Sequence, residues 1–140
     1  MSSPSKSSAL PILRPPSIVV AARDQAIGRM IAMALRLDGY APHLCADGEE
    51  ALNFLLDVGC EAAVLDARLA TVDGITICRR VRATSSPISS VPIILLHTHS
   101  EASLRARGLR AGASAFLFIP FGVQELLRGV AAVMPDRIGL

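Results

Sequence analysis

Tryptophan is absent, and one tyrosine with four phenylalanines holds the aromatic share at 4%. A core built from this chain is therefore aliphatic, drawn from Ala, Val, Ile and Leu. Lysine is nearly as scarce: Lys6 is the only one, so residues 17–140 contain none. Charge of either sign is barely in excess, with fourteen Lys and Arg against twelve Asp and Glu. From Ser17 onward the count is twelve against twelve. A small nucleic-acid binder shows a basic excess, so no nucleic-acid partner is expected. No apolar run nears the ~18 residues of a membrane span. Ala9–Leu13 is too short for a secretory signal core and runs into Pro15 and Pro16. No membrane partner is expected, and a cytoplasmic location is. The three cysteines, Cys45, Cys60 and Cys78, form no CxxC pair and no Cys/His ligand spacing. That argues against a zinc site or a redox motif, and an odd count without a secretory signal reads as free, buried thiols.

What is present suffices for one core. The chain has 140 residues, of which 51% are hydrophobic and 19% charged. That is the length of about one domain and is far from the composition of disorder. Residues 1–16 are rich in Ser and Pro and read as a disordered leader or linker. From Ser17 the pattern is a short apolar run followed by a helical stripe, five times over. The runs are Ser17–Ala22, Tyr40–Cys45, Ala62–Leu65, Ile93–Leu96 and Ala115–Ile119. Asp24 is placed to cap the first helix, and Asp47 with Glu50 resembles a capping box. Gly39, Gly59 and Gly112 follow helical stripes where a residue without Cβ suits the chain reversal. The last stripe, Val123 to Met134, is the cleanest, and residues 135–140 are a short tail. A tail of that length holds no output domain; the expectation is a stand-alone module of residues 17–134 or a piece of a longer protein.

Five alternating β–α units predict an α/β fold of three layers, an open parallel five-stranded sheet with helices on both faces. The strands look apolar throughout, as expected when both faces are covered. Functional groups of such a sheet gather at the carboxyl ends of the strands. Here those ends are Ala21–Asp24, Asp66–Arg68, His97–His99 and Ile119–Pro120. Asp66 is the residue to explain. A carboxylate there can accept a phosphoryl group or hold a metal, or it can simply end the strand in solvent. His97 and His99 share a strand face and invite a metal or pH-switch reading, but no third ligand besides Asp66 is apparent, and no metal site is expected.

The chain resembles the receiver domain of bacterial two-component response regulators. The likeness runs from about Ser17 to Met134. It rests on Ala63–Val64–Leu65–Asp66 followed by Leu69–Ala70–Thr71–Val72–Asp73–Gly74, on Ala111–Gly112–Ala113–Ser114, on Ile119–Pro120–Phe121, and on Ala46–Asp47–Gly48–Glu49–Glu50–Ala51–Leu52. The resemblance implies a doubly wound, flavodoxin-like (βα)5 fold with strand order 2-1-3-4-5. It also implies a cis bond at Ile119–Pro120 and a signalling module rather than an enzyme. In the family an aspartate takes a phosphoryl group from a histidine kinase, an acidic pair helps bind Mg²⁺, a hydroxyl residue and a lysine contact the phosphoryl group, and an aromatic reports the switch. The acceptor matches Asp66. The acidic pair falls on Ala21 and Ala22, the hydroxyl on His97, the lysine on Ile119 and the aromatic on Phe116. The proline of the loop after the acceptor is replaced as well, since that loop reads Leu69–Ala70.

These departures are chemical. Mg²⁺ wants oxygen ligands in near-octahedral geometry, and phosphoryl transfer relies on positioning and on neutralising phosphoryl charge. The expectation is a degenerate receiver with phosphorylation at Asp66 lost or weak, acting by protein–protein interaction and needing no cofactor. The first rival is a working phosphoacceptor that uses Mg²⁺ and a histidine kinase. The second is a small flavodoxin-like ligand binder, for which neither a Gly-rich phosphate loop nor a nucleophile–base pair is visible. Arg23, Arg68 and His97 are the candidate partners of Asp66 in place of the lost charges; the plainer reading has the arginines in solvent and His97 filling the vacated space. The resemblance further implies an output face on the fourth helix, fifth strand and fifth helix. It would offer Arg105, Arg107, Arg110, Phe116, Phe118 and Gln124 to a kinase, a downstream protein or a second copy, or else be an ordinary solvated surface.

Overall fold

The computed structural model describes residues 14–98 and 102–135. Most of the leader, His99 with the two residues after it, and the tail beyond Pro135 lie outside the described residues. Five strands run β1 (Ser17–Ala21), β2 (Ala41–Leu44), β3 (Ala62–Asp66), β4 (Ile93–His97) and β5 (Ala115–Phe118). Five helices alternate with them: α1 (Gln25–Leu37), α2 (Gly48–Asp57), α3 (Gly74–Arg82), α4 (Ala102–Ala111) and α5 (Val123–Val133). A single 3-10 turn, Pro87–Ser90, sits in the expected loop before β4. The strands form one parallel sheet in the order β2-β1-β3-β4-β5.

The buried strand residues face one of two cores. Val19, Leu65, Ile93 and Leu95 pack with Leu55 of α2, with Ile75, Ile77 and Cys78 of α3, and with Leu104 of α4. Ile18, Val64, Leu96 and Leu117 pack with Ile31 and Leu35 of α1 and with Leu126 and Val130 of α5. This two-sided burial is the main stabilising contribution, at about 1.5–3 kcal/mol for each large aliphatic side chain. The expectation of strands covered on both faces holds for β1, β3 and β4, is met only in part at the other edge strand, β5, where Leu117 alone is buried, and fails at β2, where Ala41, His43 and Leu44 are exposed. The cause is position: β2 is an edge strand with β1 as its only neighbour. β4 also runs one residue further than its apolar pattern, taking in His97.

The capping residues set where the helices begin, and so where the loops lie. Asp24 accepts hydrogen bonds from the amides of Ala26 (2.8 Å) and Ile27 (3.2 Å), and Asp73 accepts from Thr76 (2.8 Å). Asp47 accepts from Glu50 (2.9 Å), but the Glu50 carboxylate reaches one residue further than a capping box, to the amide of Ala46 (3.0 Å). α2 is bolted to the loop after β3. The Gly48 amide donates to the carbonyl of Ala70 (3.0 Å), and the Glu49 amide to the hydroxyl of Thr71 (2.9 Å). Thr71 takes φ +69° to make this contact, a left-handed value that a β-branched residue rarely adopts. A Cβ at Gly48 would run into the carbonyl of Val72, so only glycine allows so close an approach. The Ile119–Pro120 bond is cis. Burial raises the three free thiols, Cys45 to about 12 and Cys60 and Cys78 to about 11, which makes them poor nucleophiles.

Candidate functional site

Asp66 closes β3 and is buried, with 7% of the residue exposed. Its Oδ2 accepts from the backbone amide of Arg23 (3.2 Å), and its Oδ1 from that of Arg68 (3.1 Å). Two candidate partners therefore meet Asp66, through their main chains. Burial raises the Asp66 carboxyl above its usual range; the amides of Arg68 and Arg23 pull it down, followed by their guanidiniums. Arg23 and Arg68 also wall an open cavity of about 450 Å³, together with Ala22, Ala46, Leu69, Ala70 and Asp73. Ala46, Leu69 and Ala70 are not legible as cleft residues from their types, because aliphatic side chains carry no chemical signature. A larger hollow of about 840 Å³ lies elsewhere, around Leu55, Cys60 and Ile88. Its one carboxylate, Glu61, is already taken by the amide and hydroxyl of Ser17, each at 2.7 Å.

Ala21 and Ala22, where the sequence resemblance leads one to expect an acidic pair, are apolar. Ala21 is fully buried and Ala22 is 9% exposed, so neither brings an oxygen ligand from its side chain. Gly74 lies close beneath Asp66, since a Cβ there would collide with the Asp66 carbonyl. One carboxylate, already holding two N–H donors and flanked by two cationic side chains, does not fit the all-oxygen shell that Mg²⁺ requires.

His97 lies at the end of β4, with 2% of its surface exposed. Its Nδ1 is 3.2 Å from the carbonyl of Thr98; a carbonyl only accepts, so Nδ1 carries the hydrogen. Nε2 is buried without a hydrogen-bond partner among the described residues. The ring meets Phe116 edge-on (5.8 Å, 84°) and Phe118 at a tilt (4.4 Å, 54°). Arg105 of α4 lies over both phenylalanines, 5.2 Å from the Phe116 centroid and 5.6 Å from that of Phe118. Gly108 makes this packing feasible, because a Cβ there would stand 2.9 Å from the Phe116 ring. Arg107 and Arg110 of α4 and Gln124 of α5 are exposed. Ile119, expected from the resemblance to stand in for a lysine, is partly buried against the α1–α5 core.

Residues 18–131 match the sequence profile of the response regulator receiver domain. The chain belongs to that family. The receiver is 34% identical over 120 residues to the response regulator MprA of Mycolicibacterium vanbaalenii, covering 86% of this chain and 51% of that protein. It thus spans about half the length of the curated relatives it matches. Among solved structures it is similar to a putative response regulator from Chloroflexus aurantiacus (TM-score 0.78, 32% identity, 85% of this chain and 97% of that one). It is also similar to the receiver domain of the sensor histidine kinase PA1611 from Pseudomonas aeruginosa (TM-score 0.77, 29% identity, 85% and 97%), whose structure has a magnesium ion coordinated in the active-site cleft. The chemotaxis response regulator CheY4 of Vibrio cholerae shares the fold (TM-score 0.79, 24% identity, 86% and 99%). The chain is accordingly a two-component signalling module with the flavodoxin-like strand order. Among the described residues no helix is long and apolar enough to cross a membrane.

Proposed function

We propose that this receiver acts chiefly by protein–protein interaction within a cytoplasmic two-component phosphorelay, with phosphorylation of Asp66 lost or weak. One observation carries the reading. Asp66 is held by the amides of Arg23 and Arg68 in a setting where the acidic pair is Ala21 and Ala22. Those amides and the two guanidiniums supply positive potential where the family places a metal ion, and so offset part of the cost of burying the carboxylate. Ile119 offers no ammonium to a phosphoryl group, and His97 fills the place of the small hydroxyl. With the ring of Phe116 against His97, the aromatic position is held by packing. The partner is a histidine kinase, a downstream protein or a second copy, meeting the face of Arg105, Arg107, Arg110, Phe116, Phe118 and Gln124.

Intact-mass measurement after incubation with acetyl phosphate and Mg²⁺, with Asp66→Asn as control, tests this reading. No phosphate-sized gain on the folded protein is expected. A gain on the parent chain alone overturns the reading in favour of a working phosphoacceptor.

A further inference from the structure

Away from Asp66, three side chains with metal-binding atoms converge where β2 ends and α2 begins. His43 and Cys45 are two residues apart along the extended chain and so project to the same face. Glu50 stands in the first turn of α2. Its helix is started by Asp47, and its carboxylate is turned back toward the strand by the Ala46 amide. A ring nitrogen of His43, the Sγ of Cys45 and a carboxylate oxygen of Glu50 consequently all lie within 4.8 Å of one another. Each donor is held by a contact of its own. The His43 ring stacks on Phe54 (3.9 Å between centroids, 20° between planes). Glu50 is anchored through Oε1, which leaves Oε2 to a ligand. Cys45 is 4% exposed, so its sulfur position is fixed by the core.

The surrounding charge points the same way. Between Arg36 and Arg68 the chain has no Lys or Arg and seven Asp or Glu. Four of these, Asp47, Glu49, Glu50 and Asp57, line the open hollow that His43 also lines. Arg29 of α1 shares a neighbouring hollow with Cys45 and Glu50, so the corner is acidic on balance, and an acidic corner concentrates cations.

We propose that His43, Cys45 and Glu50 bind a divalent ion of the zinc class, with water as the fourth ligand. The mixture of nitrogen, sulfur and oxygen selects this class: Mg²⁺ and Ca²⁺ take oxygen shells, whereas Zn²⁺ accepts all three donors in a tetrahedron. Bond lengths of about 2.0–2.3 Å place tetrahedral donors roughly 3.5 Å apart. To reach that value the exposed side chains of His43 and Glu50 must move inward on binding. On binding, the Cys45 thiol gives its proton to solvent and ligates as thiolate. Linear spacing of Cys and His did not reveal the site, because its third donor comes from a helix turned back over the strand. Ala46 joins this corner to the cleft, since its amide holds Glu50 and its side chain walls the cavity beside Arg23 and Arg68.

The test is a zinc titration of the full chain, freed of metal with a chelator and then dialysed, against a chromophoric competitor. A parallel titration with Co²⁺ reads the thiolate-to-cobalt absorption in the near ultraviolet. Expected are one ion per chain and a thiolate band that disappears in Cys45→Ala. His43→Phe keeps the stack on Phe54 and Glu50→Gln keeps the acceptor for Ala46; each should weaken binding at least ~10-fold. Cys60→Ala should change nothing. Absence of saturable binding overturns the proposal. So does binding that survives both His43→Phe and Glu50→Gln, or a thiolate band lost in Cys60→Ala, with circular dichroism confirming that each variant is folded.

Discussion

The His97 imidazole meets the Phe116 ring edge-on, at 84° with centroids 5.8 Å apart, and has Phe118 on its other approach at 4.4 Å. A ring so enclosed works as core volume as well as chemistry. His97→Ala should cost about 2–4 kcal/mol, the range for truncating a buried side chain. His97→Leu restores most of the volume and removes the unpartnered Nε2, so it should lie within about 1.5 kcal/mol of the parent. Urea denaturation of the three proteins measures both differences; equal losses in the two variants would show that the imidazole itself is required.

Two glycines should respond oppositely to alanine. Gly48→Ala drives a Cβ into the Val72 carbonyl, so the bolt between α2 and the loop after β3 must shift, at about 3 kcal/mol. Gly129 lies inside α5 with nothing within 4 Å of the added carbon, and Gly129→Ala should stabilise by about 0.5–1 kcal/mol through helix propensity. Thermal unfolding of each variant gives the sign directly.

Legibility in the sequence followed side-chain chemistry. The apolar runs, the capping carboxylates of Asp24 and Asp47, and the left-handed glycines at 39, 59 and 112 all have signatures in residue type, and the elements fall where those signatures place them, whereas Asp73 is seen as a cap only in the structure. The hold on Asp66 did not show, because backbone amides have no residue type: Arg23 and Arg68 drew attention for their charge, and the structure brings their main chains to the carboxylate. Arg82 was silent for a related reason. Its guanidinium joins the carbonyls of Gly112 and Ser89, each at 3.0 Å, and such acceptors exist only once the chain is folded.

The raised Asp66 carboxyl gives a pH dependence of definite sign. The folded chain keeps this proton at pH values where the unfolded chain, near the ordinary 3.8, has released it. The contribution of Asp66 to stability therefore falls as pH rises from below 3.8 through the raised native value. Asp66→Asn does not titrate, and the cost of turning its amide toward an N–H donor does not change with pH. The Tm of the parent minus that of Asp66→Asn should decrease between pH 3.5 and 7. A difference that grows with pH would mean that the amides and guanidiniums outweigh burial.

Arg105 is set apart from its neighbours on α4 by its place over two rings. Arg105→Ala should cost about 0.5–1 kcal/mol, as for an exposed cation–π contact. Arg107→Ala, on the same helix, should stay within about 0.5 kcal/mol of the parent. Chemical denaturation of both variants decides whether Arg105 is anchored or merely solvated.

The two outer strands bear on how copies of the molecule meet. The amides of Ala41 and Cys45 face β1, so alternation turns those of residues 42 and 44 outward, and residue 42 is proline. The outer rim of β2 thus offers a single N–H, from Leu44, to any incoming strand. β5 is equally short at four residues and gives way to Pro120 two positions later. Neither rim can template a run of intermolecular ladder bonds, which guards concentrated protein against fibrous stacking. Association between copies is thereby steered away from continuous sheets and toward helix-lined surfaces.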